Sequence, residues 1–171
     1  MLKWCMFTYL KTLFQPKPHN AALTWQQLGN EAGRAYWLYA APVHLVLQRD
    51  SFSLAAPAPL TLEKDESDAL TAALNQHFAA DNLGFFWHET RWFLRLQSNP
   101  NIQTKAPQAA INKDINAFLP TGDGAIKWAS FTNEMQMLLF NHPINQAREA
   151  NKLPAINSIW CYGGGKIQDA N

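Results

Sequence analysis

The chain has 171 residues, 47% hydrophobic and 16% charged, so it can bury one sizeable core and is not expected to be disordered. Its formal net charge of +1 gives no electrostatic footprint for nucleic acid or for an anionic membrane surface. The two cysteines, Cys5 and Cys161, have neither the spacing of a zinc site nor that of a disulfide framework. We therefore expect a cytoplasmic protein with reduced thiols and no metal ion or other cofactor.

The N-terminal segment Met1–Phe14 combines an early lysine with an apolar stretch that Lys11 interrupts. This stretch is too short to span a bilayer, and no cleavage site of a secretory signal follows it. We interpret it as an amphipathic helix that docks on the domain or on a protein partner. A short helix is expected at Leu23–Glu31, and together these elements predict an N-terminal helical segment at residues 1–35.

A strand pair is predicted next. The run Tyr36–Leu47 is apolar, is broken at Pro42, and ends in the alternating pattern of a strand. A turn at Arg49–Ser51 then leads into a second strand around Phe52–Leu54.

The first long helix is expected to begin after Thr61, whose hydroxyl can cap it. Leu70, Leu74 and Phe78 follow at i, i+4 and i+8 and predict its buried stripe. The sequence Asp81–Gly84 is typical of a helix end.

Two further strands are predicted at Phe85–His88 and Trp92–Leu96, followed by a polar loop at Ser98–Asp114. A second long helix is expected at Ala125–Asn141, opened by Asp123 or Gly124. Its apolar stripe consists of Trp128, Phe131, Met135 and Leu138.

A short helix at Pro143–Ala150 and a strand at Ile156–Tyr162 that runs into three glycines complete the chain. The order of these elements and their short links predict one α+β domain at residues 36–171. Its sheet should be mostly antiparallel, with the helices packed on one face.

The chemistry of the chain is concentrated where the second long helix ends, in a group of amides and a few cations. Asn145 and Arg148 are spaced i, i+3 and should point the same way on a helix. An arginine beside an amide suits a carboxylate or phosphate ligand. The alternative is that these residues cap helix ends and satisfy backbone groups. No nucleophile elbow, Walker loop, zincin motif or Rossmann fingerprint occurs in the sequence, and no catalytic residue is predicted.

The segment His142–Gly165 carries a pattern, His-Pro-Ile-Asn…Arg…Leu-Pro…Asn followed by a glycine triplet, that resembles cofactor-independent phosphoglycerate mutases of the archaeal type. There the similar segment lies in a domain inserted into an alkaline-phosphatase-like core. The bacterial RpfE-type family, described as regulatory or phosphoglycerate mutase-like, is more similar still. The further motifs that carry this resemblance are Trp37–Asp50, Asp114–Pro120, Asn133–Leu139 and Asn157–Gly165.

The sequence departs from these families at two places. Ala41 stands where the pattern usually has aspartate, and Cys161-Tyr162 replace an arginine that the archaeal mutases place before their glycines. The resemblance also implies a two-metal mechanism with a serine or threonine nucleophile, whose residues belong to the core domain and are not found in this chain. The chain is therefore interpreted as a truncated or split member of the family that does not catalyse the reaction alone.

Three functions follow from these observations. The first is a non-catalytic, RpfE-like regulatory or ligand-sensing domain with a cleft for a small phosphorylated or carboxylate ligand. The second is part of a mutase-like phosphotransferase completed by another chain, and the third is a protein-protein interaction domain. The candidate ligand-binding residues are Arg49, Asn145, Arg148 and Asn157, with His44 and His142 as additions.

Overall fold

The computed structural model describes residues 20–167. The helix expected at Met1–Phe14 lies outside the described residues. The helices are α1 (Ala21–Gln27), α2 (Lys64–His77), α3 (Ala125–Phe140) and α4 (Pro143–Ala150). The strands are β1 (Tyr36–Val43), β2 (Leu45–Leu47), β3 (Phe52–Leu54), β4 (Gly84–His88), β5 (Arg91–Leu96) and β6 (Ser158–Gly165).

The sheet has the strand order β4-β5-β1-β6, and all of its neighbouring strands are antiparallel. Strands β2 and β3 form a separate antiparallel pair, joined by the predicted turn at Arg49–Ser51. The predicted α+β class with a mostly antiparallel sheet is confirmed.

Side chains alternate across β1 and divide the core into two sides. Leu38 and Ala40 face α2 and α3 and pack with Leu70, Leu74 and Phe78, the stripe predicted for the first long helix. On the opposite side, α1 covers the sheet through Trp25, whose ring lies 5.0 Å from each of the rings of Trp37 and Phe93. The long helices therefore share one face, and the shortest helix lies on the other.

Helix α2 begins two residues later than the Thr61 cap predicts. Its N-cap is Glu63, whose backbone N–H donates to the Glu66 carboxylate at 2.9 Å, while the Glu63 side chain accepts from the Glu66 backbone in return. This reciprocal capping box satisfies two free backbone donors, so it sets the helix start more strongly than a single hydroxyl can.

The glycine triplet lies inside β6 and does not follow it. Gly165 pairs with Trp37 of β1, and a Cβ on Gly164 would overlap the Tyr36 hydroxyl group. Because glycine has no side chain, β6 can continue past Tyr162 in this crowded position. The strand therefore spans Ser158–Gly165, not Ile156–Tyr162 as expected. Within residues 20–167, none of the helices combines the length and the apolar character that crossing a bilayer requires.

Candidate ligand-binding region

Four of the six candidate residues converge on one short segment, Pro154–Asn157, which leads from α4 into β6. Arg148 contacts Pro154, His44 contacts Ala155, and Asn145 contacts Ile156. The fourth candidate, Asn157, is the last residue of the segment. Because this segment is irregular, several of its backbone groups take side chains as hydrogen-bond partners. The candidate residues supply them.

Arg148 on α4 is 5% exposed and uses its guanidinium group within the fold. Its Nε donates to the Pro154 carbonyl at 2.8 Å, and its Nη1 donates to both carboxylate oxygens of Glu66 at 2.8 and 2.9 Å. Since Glu66 also belongs to the capping box of α2, this one ion pair fixes α4 and the segment to the start of α2. The Nε and Nη1 donors of Arg148 are thus committed to Pro154 and Glu66.

Asn145 is 3% exposed, and its side-chain amide is fully engaged. Its Nδ2 donates to the carbonyls of Leu139 and Ile156, at 2.8 Å each, while its Oδ1 accepts from the Ile156 N–H at 2.7 Å. The amide therefore connects the end of α3 to the segment as a backbone group would. Asn145 and Arg148 do lie on the same side of α4, as their spacing predicts.

Asn157 and His44 hold the other side of the segment against the corner between β1 and β2. Asn157 exchanges two hydrogen bonds with the backbone of Leu45, at 2.7 and 2.8 Å, which imitates a strand pair. His44 Nδ1 lies 2.7 Å from the Ala155 carbonyl oxygen. Because a carbonyl only accepts, Nδ1 carries the proton and donates.

His142 caps α4: its Nδ1 accepts from the Ile144 N–H at 3.2 Å, and Pro143 follows at the first helical position. Since Nδ1 accepts, the proton of the neutral ring resides on Nε2, which is left as a donor. Burial lowers the pKa of His142 below its usual value of 6.5, because it disfavours the charged imidazolium.

Arg49 differs from the other candidates because it lies exposed in the turn between β2 and β3. Within the described chain it forms no hydrogen bond or ion pair with another side chain. Of the candidate arginines, it is the one whose guanidinium group is open to an added ligand.

The hydrogen bonds of Asn145, Asn157 and His142, and that of Arg148 to Pro154, are caps and backbone contacts of the kind that the alternative interpretation predicts. The role of the six residues in ligand binding stays a prediction. Glu66 was not predicted as part of the region, although its capping-box position three residues after Glu63 marked it as an ordered carboxylate. The contact between Glu66 and Arg148 joins residues 82 positions apart, so local spacing does not predict it.

A second feature missed by the sequence is a cleft of about 340 Å³ beside the glycines. It is lined by Tyr36, Leu38, Ile102, Gln103, Thr104, Ala106, Tyr162, Gly163 and Gly164. Two of these lining residues are hydrogen-bonded to each other: the Oγ1 of Thr104 accepts from the Gly163 N–H at 3.3 Å. None of its lining residues carries a formal charge, so this cleft offers no charge to a phosphate group.

The departure at Cys161 has a structural reason. Cys161 is 6% exposed and belongs to the core beneath α2 and α3, where burial raises the pKa of its thiol to about 12. An arginine at this buried position would need a partner for its charge. Among residues 20–167, no three histidine, cysteine or acidic side chains come together in a group able to hold a metal ion.

Comparisons with known proteins find similarity to parts of two phosphoglycerate mutases. No family model matches the chain. Over 61 residues, the chain is 41% identical to a probable 2,3-bisphosphoglycerate-independent phosphoglycerate mutase from Geobacter sulfurreducens, a match that covers 35% of this chain and 15% of that protein.

The fold is similar to that of the cofactor-independent phosphoglycerate mutase from Thermoplasma acidophilum, with a TM-score of 0.61 and 16% sequence identity. This match covers 86% of the present chain and 42% of the mutase chain. The chain resembles part of a phosphoglycerate mutase. The resemblance to these mutases is thus confirmed in part, and the chain spans less than half the length of either protein.

Proposed function

We propose that the chain is a non-catalytic, RpfE-like regulatory or ligand-sensing domain that binds a small phosphorylated or carboxylic acid. The observation that carries this proposal is the extent of the structural match: most of the chain corresponds to less than half of a mutase chain. A domain of this kind can keep the substrate-side scaffold of a mutase while another function replaces the reaction. RpfE-type membership and a cytoplasmic location belong to the same proposal.

The contacts divide the candidate residues into two roles. Arg49 would neutralise the anion, and the Nε2–H of His142 could donate to it, since the structure leaves both groups without another partner in the described chain. Asn145, Arg148 and Asn157 would act as positioning residues, because their polar atoms already hold Pro154–Asn157. His44 belongs with them through its contact to Ala155.

Thermal-shift titration with 3-phosphoglycerate and related phosphorylated acids tests the proposal. A ligand that binds the folded state raises the free energy of unfolding by RT ln(1 + [L]/Kd), so millimolar ligand should raise Tm. Arg49→Ala should reduce this shift, whereas Arg34→Ala, which removes another exposed arginine, should not. No shift at millimolar ligand, or equal loss in both variants, would contradict the proposed binding.

A second candidate function is part of a mutase-like phosphotransferase completed by another chain. It is favoured because both matched proteins are named as phosphoglycerate mutases and each is much longer than the matched part. On this proposal, the complex purified with its partner contains manganese or zinc and transfers phosphate. An assembled complex that is metal-free and inactive would eliminate it.

A further inference from the structure

Helix α3 presents a second apolar face to solvent, opposite the face that packs in the core. Its buried residues are Trp128, Met135 and Leu139, yet Ile126, Met137 and Phe140 are 86%, 75% and 78% exposed. Such exposed apolar residues on one helix are typical of an interaction surface. Nothing in the described chain covers them.

The exposed residues form a regular line along the helix, which we call the α3 seam: Ile126, Ser130, Asn133, Met137 and Phe140. Their separations alternate between four and three positions, the 3.5-residue average that keeps a helix in contact with a second helix along its length. A depression of about 550 Å³ opens at its C-terminal half, lined by Asn133, Gln136, Met137, Phe140 and Asn141. The seam thus has exposed apolar side chains at both ends and a depression into which the apolar side chains of a partner can pack.

Charge decides which partner fits this surface. The seam carries no charged side chain, and its flank carries Lys127 and, two turns later, Glu134. Glu134 Oε1 also lies 2.7 Å from His77 Nε2 of α2, and its second carboxylate oxygen has no partner in the described chain. When two copies of α3 pack antiparallel about a two-fold axis, Lys127 of each copy comes beside Glu134 of the other. A parallel pair about a two-fold axis would leave Lys127 and Glu134 on opposite sides of the seam, without this contact.

The same two-fold arrangement matches the seam residues. With the axis between Ser130 and Asn133, Ile126 of one copy faces Met137 of the second, and the serine hydroxyl faces the asparagine amide. We propose that the α3 seam is a homodimer interface in which two copies of this chain pack α3 against α3, antiparallel. This inference does not depend on the proposed ligand.

The contact area that α3 can offer is small, which indicates a weak dimer. A helix of 16 residues is about 24 Å long, so each copy buries on the order of several hundred Å². This is at the low end for specific interfaces, and the expected Kd is on the order of micromolar to tens of micromolar.

Sedimentation equilibrium of the full chain, at concentrations that bracket this Kd, tests the proposal. The mass should rise from monomer to dimer with concentration, and Ile126→Lys or Met137→Lys should weaken association at least about tenfold, because these two residues face each other. Leu23→Lys is the matched control, because Leu23 is an exposed apolar residue on α1 and should not affect the dimer. Unchanged circular dichroism would show that each variant is folded.

A charge exchange tests the antiparallel direction. Lys127→Glu should weaken the dimer, and the combined Lys127→Glu and Glu134→Lys variant should restore part of the loss. A monomer at every concentration, or a dimer that Ile126→Lys and Met137→Lys leave unchanged, would overturn the proposal. In either case the seam would be left to another segment or another protein.

Discussion

Arg148 and Glu66 lie 82 positions apart in the chain and form a largely buried ion pair between α4 and α2. Their side chains are 5% and 17% exposed, and Arg148 also donates to the Pro154 carbonyl. The pair joins two helix ends and the segment that leads into β6. It therefore connects the residues predicted for ligand binding to the framework of the domain.

Replacing Arg148 should destabilise the fold strongly. Arg148→Met keeps much of the apolar volume but removes the guanidinium donors of Glu66 and of the Pro154 carbonyl, so that within the described chain Glu66 keeps only the Glu63 N–H. We expect this loss to lower the free energy of unfolding by about 3 kcal/mol. Urea unfolding measures this change. Lys64→Met removes an ion pair with Asp68 in which the side chains are 74% and 48% exposed, so the free energy of unfolding should change much less than in Arg148→Met. Equal losses in the two variants would contradict the buried role of Arg148.

Asn145 should tolerate no apolar replacement of similar size. Asn145→Leu removes the side-chain partners of the Ile156 N–H and of the Ile156 carbonyl in a buried place, which should cost about 2–4 kcal/mol. The Leu139 carbonyl keeps the His142 N–H as a donor. Asn151→Leu is a suitable control, because Asn151 is an exposed residue at the end of the same helix. If both variants unfold at the same urea concentration, the proposed backbone role of Asn145 is wrong.

His142 should make stability depend on pH below about 6.5, its usual pKa. Because burial lowers its pKa in the folded state, the unfolded chain binds the proton more readily, so stability is complete above this pH and falls as the pH is lowered. Protonation at Nδ1 also removes the acceptor that caps α4. His142→Asn keeps a capping side chain but cannot titrate. The free energy of unfolding should therefore vary less in the variant, when it is measured between about pH 5 and 7.5. An unchanged pH profile would assign the effect to another group.

Gly164 should be difficult to replace. In Gly164→Ala the new methyl group meets the hydroxyl and ring of Tyr36, and the strain should cost about 1–3 kcal/mol. Tyr36→Phe removes the hydroxyl, so adding it to Gly164→Ala should recover part of the loss in a double-mutant cycle. No coupling between the two substitutions would show that the strand accommodates the methyl group elsewhere.

Local patterns predict much of this fold. Helix α4 begins and ends at the predicted residues, because a capping histidine, a proline at the first helical position and amphipathic spacing all act within a few residues. The stripe Leu70, Leu74 and Phe78 is buried for the same reason. The predicted start of α2 at Thr61 is too early, because Glu63 caps the helix instead and does so together with Glu66.

The features that the sequence does not reveal depend on distant partners. The glycines of β6 read as a strand end, since only their neighbours Tyr36 and Asn20 explain why side chains are excluded there. The polar group around Arg148 suggests an anion site until Glu66 is placed beside it. Spacing along one helix identifies which side chains point together, and it does not identify what they meet.

The four side chains that hold Pro154–Asn157 also have a kinetic consequence. The Ile156 amide proton is bound by a side chain on α4 and not by a neighbouring strand, so it can exchange with solvent only when Asn145 withdraws. Since Arg148 ties the same helix to α2, release of α4 should be a cooperative opening event. Hydrogen exchange at this single amide would therefore report how often α4 separates from the rest of the domain.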